Sequence, residues 1–191
     1  MMTDRQKRLE QDYREMLRIQ DRPYLSWIVT KGELPCAEEY LLSVRLRSYA
    51  LSVSSDRYVV SEADRFTVKV TLWDSYPRVA PNIRMLSIPP VFVPAWYSKG
   101  TYCPPELWRV DISLKEYVKQ MLRTLQYAPD VIDSKAPANY KALSWYRKHK
   151  EDASIFPSDI TELSENTDER VAALERAALI PAREIDSWPI R

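Results

Sequence analysis

Residues 66–81 read Phe66-Thr67-Val68-Lys69-Val70-Thr71-Leu72-Trp73-Asp74-Ser75-Tyr76-Pro77-Arg78-Val79-Ala80-Pro81. In the first half Phe66, Val68, Val70 and Leu72 fall on every second position, the pattern of a strand with one apolar face. The second half cannot continue it: Pro77 and Pro81 donate no ladder hydrogen bond, and Tyr76-Pro77 opens a turn. This strand and its proline-marked end set the frame for the rest of the chain.

Upstream, Leu42, Val44 and Leu46 alternate with Ser43, Arg45 and Arg47, a second half-buried strand. Tyr49, Leu51 and Val53 alternate in the opposite phase, so a bulge or turn is expected near Arg47–Ser48. Tyr24 to Thr30 is apolar and β-branched, a further strand. Ahead of it, residues 3–20 read as a helix. Leu9, Tyr13, Met16 and Leu17 give it a narrow apolar stripe, Thr3 or Asp4 caps it, and Pro23 ends it. Downstream, residues 82–88 can form a short strand, and a proline-rich, aperiodic segment runs to Asp111. Ser113 and Glu116 have the spacing of a capping box, and Leu114, Val118, Met121, Leu122 and Leu125 then share one helical face. Another helix is expected from Pro137 to about His149, burying Ala142, Trp145 and Tyr146. The last, from Asn166 to Leu179, has a weak stripe of Val171, Leu174 and Ala178. Helix, antiparallel strands, irregular segment and helices make an α+β order.

The 191 residues fit one domain with an appendage. Charge divides them: residues 151–191, with ten acidic residues and four arginines, carry −6, and residues 1–150 carry +7. The expected organisation is a body over 1–150 and an acidic extension over 151–191. A chain ending at 156 should unfold within a few degrees of the whole, because the extension is weakly amphipathic and poor in aromatics before Trp188. The net charge of +1 gives no reason to bind nucleic acid or an anionic membrane. Two glycines, Gly32 and Gly100, exclude a Walker loop and a dinucleotide-binding turn. One histidine and two cysteines cannot build a Cys/His zinc site, so neither metal nor cofactor is expected. The charged opening and the prolines that cut the apolar run near Ile88–Tyr97 leave no signal peptide or membrane span. A reduced, cytoplasmic protein is the expectation.

Cys103 lies in Gly100-Thr101-Tyr102-Cys103-Pro104-Pro105-Glu106-Leu107-Trp108, four residues after Lys99. Loops on rigid scaffolds concentrate reactive residues, and a nearby cation favours thiolate. The competing reading is an inert core cysteine. His149, the sole imidazole, falls at a predicted helix end, where it meets the helix dipole; a Cys/His dyad would need it beside Cys103. Asp130 and Asp133 flank a turn, a common place for aspartate. The aromatics fall on strand and helix faces, which reads as core packing and not base stacking. Cys36, in Leu34-Pro35-Cys36-Ala37, has no supporting context.

In order, Tyr76-Pro77-Arg78-Val79-Ala80-Pro81, Val91-Phe92-Val93-Pro94-Ala95, Gly100-Thr101-Tyr102-Cys103 and Trp108 resemble the ubiquitin-conjugating (UBC) family over roughly residues 3–150. That family has a Tyr-Pro turn, a His-Pro-Asn motif, a Gly-x-x-Cys carrying the catalytic cysteine, a Trp, a helix, and an Asp-containing loop. Asp133-Ser134-Lys135-Ala136-Pro137 stands where that loop would be. The resemblance implies an N-terminal helix, an antiparallel meander, a catalytic flap and C-terminal helices. Two departures stand out. Val93-Pro94-Ala95 replaces His-Pro-Asn, and Ser61-Glu62-Ala63-Asp64 replaces a glycine pair. The pattern resembles a divergent, bacterial-type member. Some bacterial operons carry such a protein beside a ubiquitin-like protein and an activating enzyme, and antiphage defence is one such setting.

The resemblance implies that Cys103 accepts the C-terminal acyl group of a ubiquitin-like protein from the thioester of an adenylating activating enzyme. A target lysine then attacks. Thiolate–thioester exchange is near-isoenergetic and needs little base. Attack by an amine needs an oxyanion donor, a role the resemblance gives to the missing Asn. Backbone N–H groups, or the hydroxyls of Tyr102, Tyr97 or Ser98, could replace it. Asp133 would orient the amine. Arg5, Arg8 and Arg14 on the first helix, together with Pro94, would meet partners. Two other classes compete: a UBC-like binding module without chemistry, and a cysteine hydrolase, which would need a base near Cys103.

Overall fold

The computed structural model describes residues 2–54 and 57–178. Helix α1 (Asp4–Leu17) starts where its cap demands: the Thr3 hydroxyl accepts from the Gln6 N–H, and the Gln6 side chain accepts from the Thr3 N–H. It ends short of residue 20 because the N–H groups of Arg18, Ile19 and Gln20 reach back only three residues, to Glu15, Met16 and Leu17. Its stripe of Leu9, Tyr13, Met16 and Leu17 is buried.

Strands β1 (Leu25–Lys31), β2 (Glu39–Val44), β5 (Phe66–Thr71) and β6 (Asn82–Met85) form an antiparallel sheet in the order β1-β2-β5-β6. Register follows the apolar pattern: Trp27 faces Leu42, and Leu42 faces Val68. Between β2 and β5, the hairpin β3 (Ser48–Ser54) and β4 (Arg57–Ala63) forms a separate two-stranded sheet. The phase change at Arg47–Ser48 therefore marks the chain leaving the main sheet, where a bulge or turn was expected. The free edge of β3 is tied down by the segment after β6: Leu51 N–H donates to Pro90 O at 3.1 Å, and Phe92 N–H to Tyr49 O at 2.7 Å.

Helix α2 (Leu114–Leu125) is capped by the Ser113 hydroxyl, which accepts from the Glu116 N–H. A short 3₁₀ turn (Pro129–Val131) follows. Helix α3 (Tyr140–His149) begins three residues after Pro137, because the Asn139 side chain caps it through the Ala142 N–H. Trp145 and Tyr146 are half-buried. Helix α4 (Asp168–Ala178) packs on α1, where Arg18 meets Asp168 at 2.9 Å and Arg14 meets Glu175 at 3.3 Å. Leu179 and Trp188, which figured in the sequence reading, lie outside the described residues. No helix among the described residues is long and apolar enough to cross a membrane.

Past residue 156 the extension is stitched to the body by polar side chains, and Phe156 packs into the body just before it. Phe156 is buried against Tyr49, Tyr127 and Trp145. The Ser158 hydroxyl, fully buried, donates within reach of Arg47 O and Leu125 O, at 2.9 and 3.0 Å. The Asn166 amide donates to Leu17 O and Gln20 O, at 2.9 and 2.7 Å. The Leu17 carbonyl also accepts from the Gln20 N–H at 3.3 Å, so the Asn166 amide adds a second bond at the end of α1 and ties down the turn that follows it. The pattern of hydrophobicity is silent about such polar plugs.

Candidate active site

Beyond β6 the sheet continues by two short pieces. Residues 100–102 pair with β6: Met85 N–H donates to Gly100 O at 2.7 Å and Tyr102 N–H to Ile83 O at 3.0 Å. Residues 95–97 pair with 101–103: Cys103 N–H donates to Ala95 O at 2.8 Å, Tyr97 N–H to Thr101 O at 2.9 Å, and Trp96 faces Tyr102. Gly100 makes the turn at φ +84°, and a Cβ there would stand 2.9 Å from the Met85 carbonyl oxygen. Trp96 and Tyr102 point inward, with ring centroids 5.3 Å apart, and anchor the hairpin in the core. Cys103 stands half-buried on the opposite face.

A second network fixes the far end of this segment. Asp12, fully buried, accepts from Arg8 at 2.6 Å, from the Tyr76 hydroxyl at 2.5 Å and from the Leu114 N–H at 2.9 Å. Arg8 also donates to the Val110 and Ile112 carbonyls, and the Trp108 indole donates to Pro77 O at 2.7 Å. The Tyr-Pro turn, Trp108 and the start of α2 are thus clasped to α1. Asp12 escaped sequence reasoning, although its place four residues after Arg8 is an ion-pair spacing.

Cys103 opens into a small cleft lined by Pro94, Ala95, Pro104, Pro105, Asp133, Ala136, Pro137 and Ala138. Its volume, 10 Å³, is about that of a single water-sized sphere. A much larger open groove of 780 Å³ runs along α2 beside Lys119 and Arg123 and meets the cleft at Pro105 and Asp133. Asp133 and Cys103 therefore line one site. One Asp133 oxygen accepts from the Lys135 and Ala136 N–H groups, at 2.7 and 3.1 Å, and these backbone bonds, that of Ala136 foremost, hold the carboxyl below its usual range. Such a carboxylate is a poor proton acceptor but can hold a cation on its other oxygen.

The remaining site residues read from sequence are placed differently from one another. Tyr102 is 6% exposed; its hydroxyl is buried without a partner, and burial, with Tyr117 next, pushes its phenol far up. It is on the wrong face of the hairpin to serve the thiol. Pro94 is buried, and its carbonyl accepts from the Asn139 N–H at 3.0 Å, so it shapes the cleft from within. Arg8 is turned inward, as above, and cannot offer its charge to a partner. Arg5 is held by Glu38 at 2.7 Å and the Leu72 carbonyl at 3.3 Å. Of the three arginines, Arg14 keeps the most exposed side chain, 61%, between Glu10 and Glu175. His149 sits on the Trp145 carbonyl of its own helix and does not line the cleft.

Comparison with protein-family models and with curated protein sequences returns no match. Solved structures do match. One is a protein assigned as a ubiquitin conjugating enzyme of Plasmodium yoelii, with 13% identity over 79% of this chain and 88% of that one and a TM-score of 0.53. Another is S. cerevisiae Ubc12, with 15% identity over 87% of this chain and 86% of that one and a TM-score of 0.55. At such identities the likeness is one of fold, and the chain has the ubiquitin-conjugating fold, an N-terminal helix, an antiparallel sheet and C-terminal helices.

Proposed function

We propose that this protein is a conjugating enzyme that takes the C-terminal acyl group of a ubiquitin-like protein as a thioester on Cys103 and passes it to a target lysine. Its partners on this reading are the ubiquitin-like protein, an adenylating activating enzyme and the target. The observation that carries the reading is the open groove along α2, which adjoins at Pro105 and Asp133 the small cleft lined by the half-buried thiol, on this fold. An extended chain terminus lying in that groove would bring its last carbonyl to the sulfur, and a cleft too small for a side chain suits a terminus of small residues. No imidazole lines the cleft, which fits exchange between thiolates of similar basicity better than hydrolysis. Asp133 would hold the incoming ammonium with its free oxygen, an orienting role and not that of a strong base. For docking the activating enzyme, Arg14 and the exposed Lys7 of α1 are the available cations. A binding module is the competing reading, favoured by Ala95 standing where the family's Asn would be.

Incubating the full chain with ATP and an activating enzyme and ubiquitin-like protein from the same organism should give a heavier species that reducing agent removes. Cys103→Ser should give an ester that survives reductant. Absence of any thiol-sensitive adduct on Cys103 would favour the binding module.

A further inference from the structure

Acyl transfer to an amine builds negative charge on the thioester oxygen and then on the departing sulfur, and both want a hydrogen-bond donor. Ala95, directly across from Cys103, has none to offer. Nor does the neighbouring backbone: the Cys103 N–H is spent on Ala95 O, and Pro104 and Pro105 have no N–H. The Tyr102 hydroxyl is sealed in the core. Ser98 lies exposed in the turn.

Tyr97 meets the geometry. In the 95–103 hairpin Trp96 faces Tyr102, so Tyr97 pairs with Thr101 and Cys103 with Ala95. Side chains alternate, so as Trp96 and Tyr102 go inward, Ala95, Tyr97 and Cys103 share the outer face. Tyr97 and Cys103 are diagonal neighbours, whose Cβ atoms stand about 7–8 Å apart or less, within reach of an aromatic side chain. Tyr97 is 47% exposed, free to follow the reacting atoms.

We propose that the Tyr97 hydroxyl is the hydrogen-bond donor to the charge that develops at Cys103 during acyl transfer, in place of the side chain that Ala95 lacks. This deepens the conjugating-enzyme reading and rests on it. The amine adds to the thioester carbon and the C–N bond forms while the carbonyl pair moves to oxygen, which accepts from Tyr97. The carbonyl then re-forms, the C–S bond breaks with its pair leaving on the Cys103 sulfur, and the ammonium proton passes to water. Tyr97 can then donate to the thiolate. The proximity of Cys103 holds the Tyr97 phenol above its ordinary value, so the proton it donates stays in place at neutral pH.

The test loads the full chain on Cys103 with a short peptide ending in Gly-Gly, supplied as its mercaptoethanesulfonate thioester. After the small thiol is removed, discharge to free lysine is followed by mass spectrometry. Tyr97→Phe should discharge about tenfold slower or more, the scale of losing one oxyanion donor in a partly open site. Tyr102→Phe should stay within twofold of wild type. Tyr97→Phe should also melt with wild type, since the ring is kept and only a surface hydroxyl is lost; slow discharge with an equally weakened fold would overturn the inference. Equal discharge by Tyr97→Phe and wild type would overturn it and leave the conjugating reading standing. Failure of wild type to take the acyl group would overturn both.

Discussion

Cys36 and Cys103 are both free and both half-buried, so exposure does not tell them apart. Space misleads: the hollow beside Cys36 has 370 Å³ and the cleft at Cys103 has 10 Å³. What differs is what each sulfur faces. Cys36, in the loop between β1 and β2, gives its S–H to Gln6 O at 3.5 Å. Burial first, then the negative charge of Glu10, pushes its thiol up, away from the nucleophilic form. Cys103 faces a cleft continuous with the long α2 groove, with a carboxylate on one wall and a phenol on its own outer face. On the proposed reading, the neighbours of each thiol and the path to it set which one reacts.

The supports of the two regions differ as well, and mutation can break the contrast. The largest effect is expected from Asp12→Ala. It leaves the largely buried Arg8 without its carboxylate and frees the start of α2, a loss of about 3–5 kcal/mol. For a chain this size that lowers the melting temperature by roughly 10 °C. Glu38→Ala, beside Cys36, removes an ion pair whose side chains are 25% and 22% exposed and should cost less, on the order of 1 kcal/mol. Equal losses would erase the distinction.

Next comes the plug on α1, the helix that both regions lean on. Asn166→Ala removes the side-chain bonds to the Leu17 and Gln20 carbonyls and should cost about 1–3 kcal/mol by thermal unfolding. It should loosen both cysteines to alkylation alike; an effect on one alone would show that α1 is not their common support.

The smallest effect concerns pH. Burial tends to raise the Glu165 carboxyl, but hydrogen bonds from Lys119 and Lys115, each at 2.9 Å, outweigh it and leave its value lowered. A lowered folded value means the contribution is present above the unfolded carboxylate range near 4.3 and fades as pH falls through the folded value. Wild type should therefore lose slightly more stability than Glu165→Gln between about pH 5 and 3, read by melting curves. Parallel curves would mean the tie to α2 adds nothing.

Much of this was legible in the sequence. The alternation of Phe66 to Leu72, the Thr3 and Ser113 caps, and Cys103 on its proline-stiffened segment all rest on local rules, and the structure obeys them. The inward turn of Arg8 and the plugs Ser158 and Asn166 were not legible. They depend on carbonyls and a carboxylate that only packing brings together, and hydropathy carries no mark of them. The choice between Tyr97 and Tyr102 was hidden for a related reason. Two tyrosines five residues apart around a turn take faces set by the pairing of Trp96 with Tyr102, and composition cannot state a register.

The central claim is that Cys103, and not Cys36, forms the acyl intermediate. Wild type, Cys103→Ala and Cys36→Ala, each as the full chain, can be treated with the Gly-Gly peptide thioester and the acylated residue located by peptide mapping. The account predicts a thioester on Cys103 in wild type and in Cys36→Ala, removed by reductant, and none in Cys103→Ala. Acylation of Cys36 at a rate equal to that of Cys103, or an adduct that persists in Cys103→Ala, would contradict it.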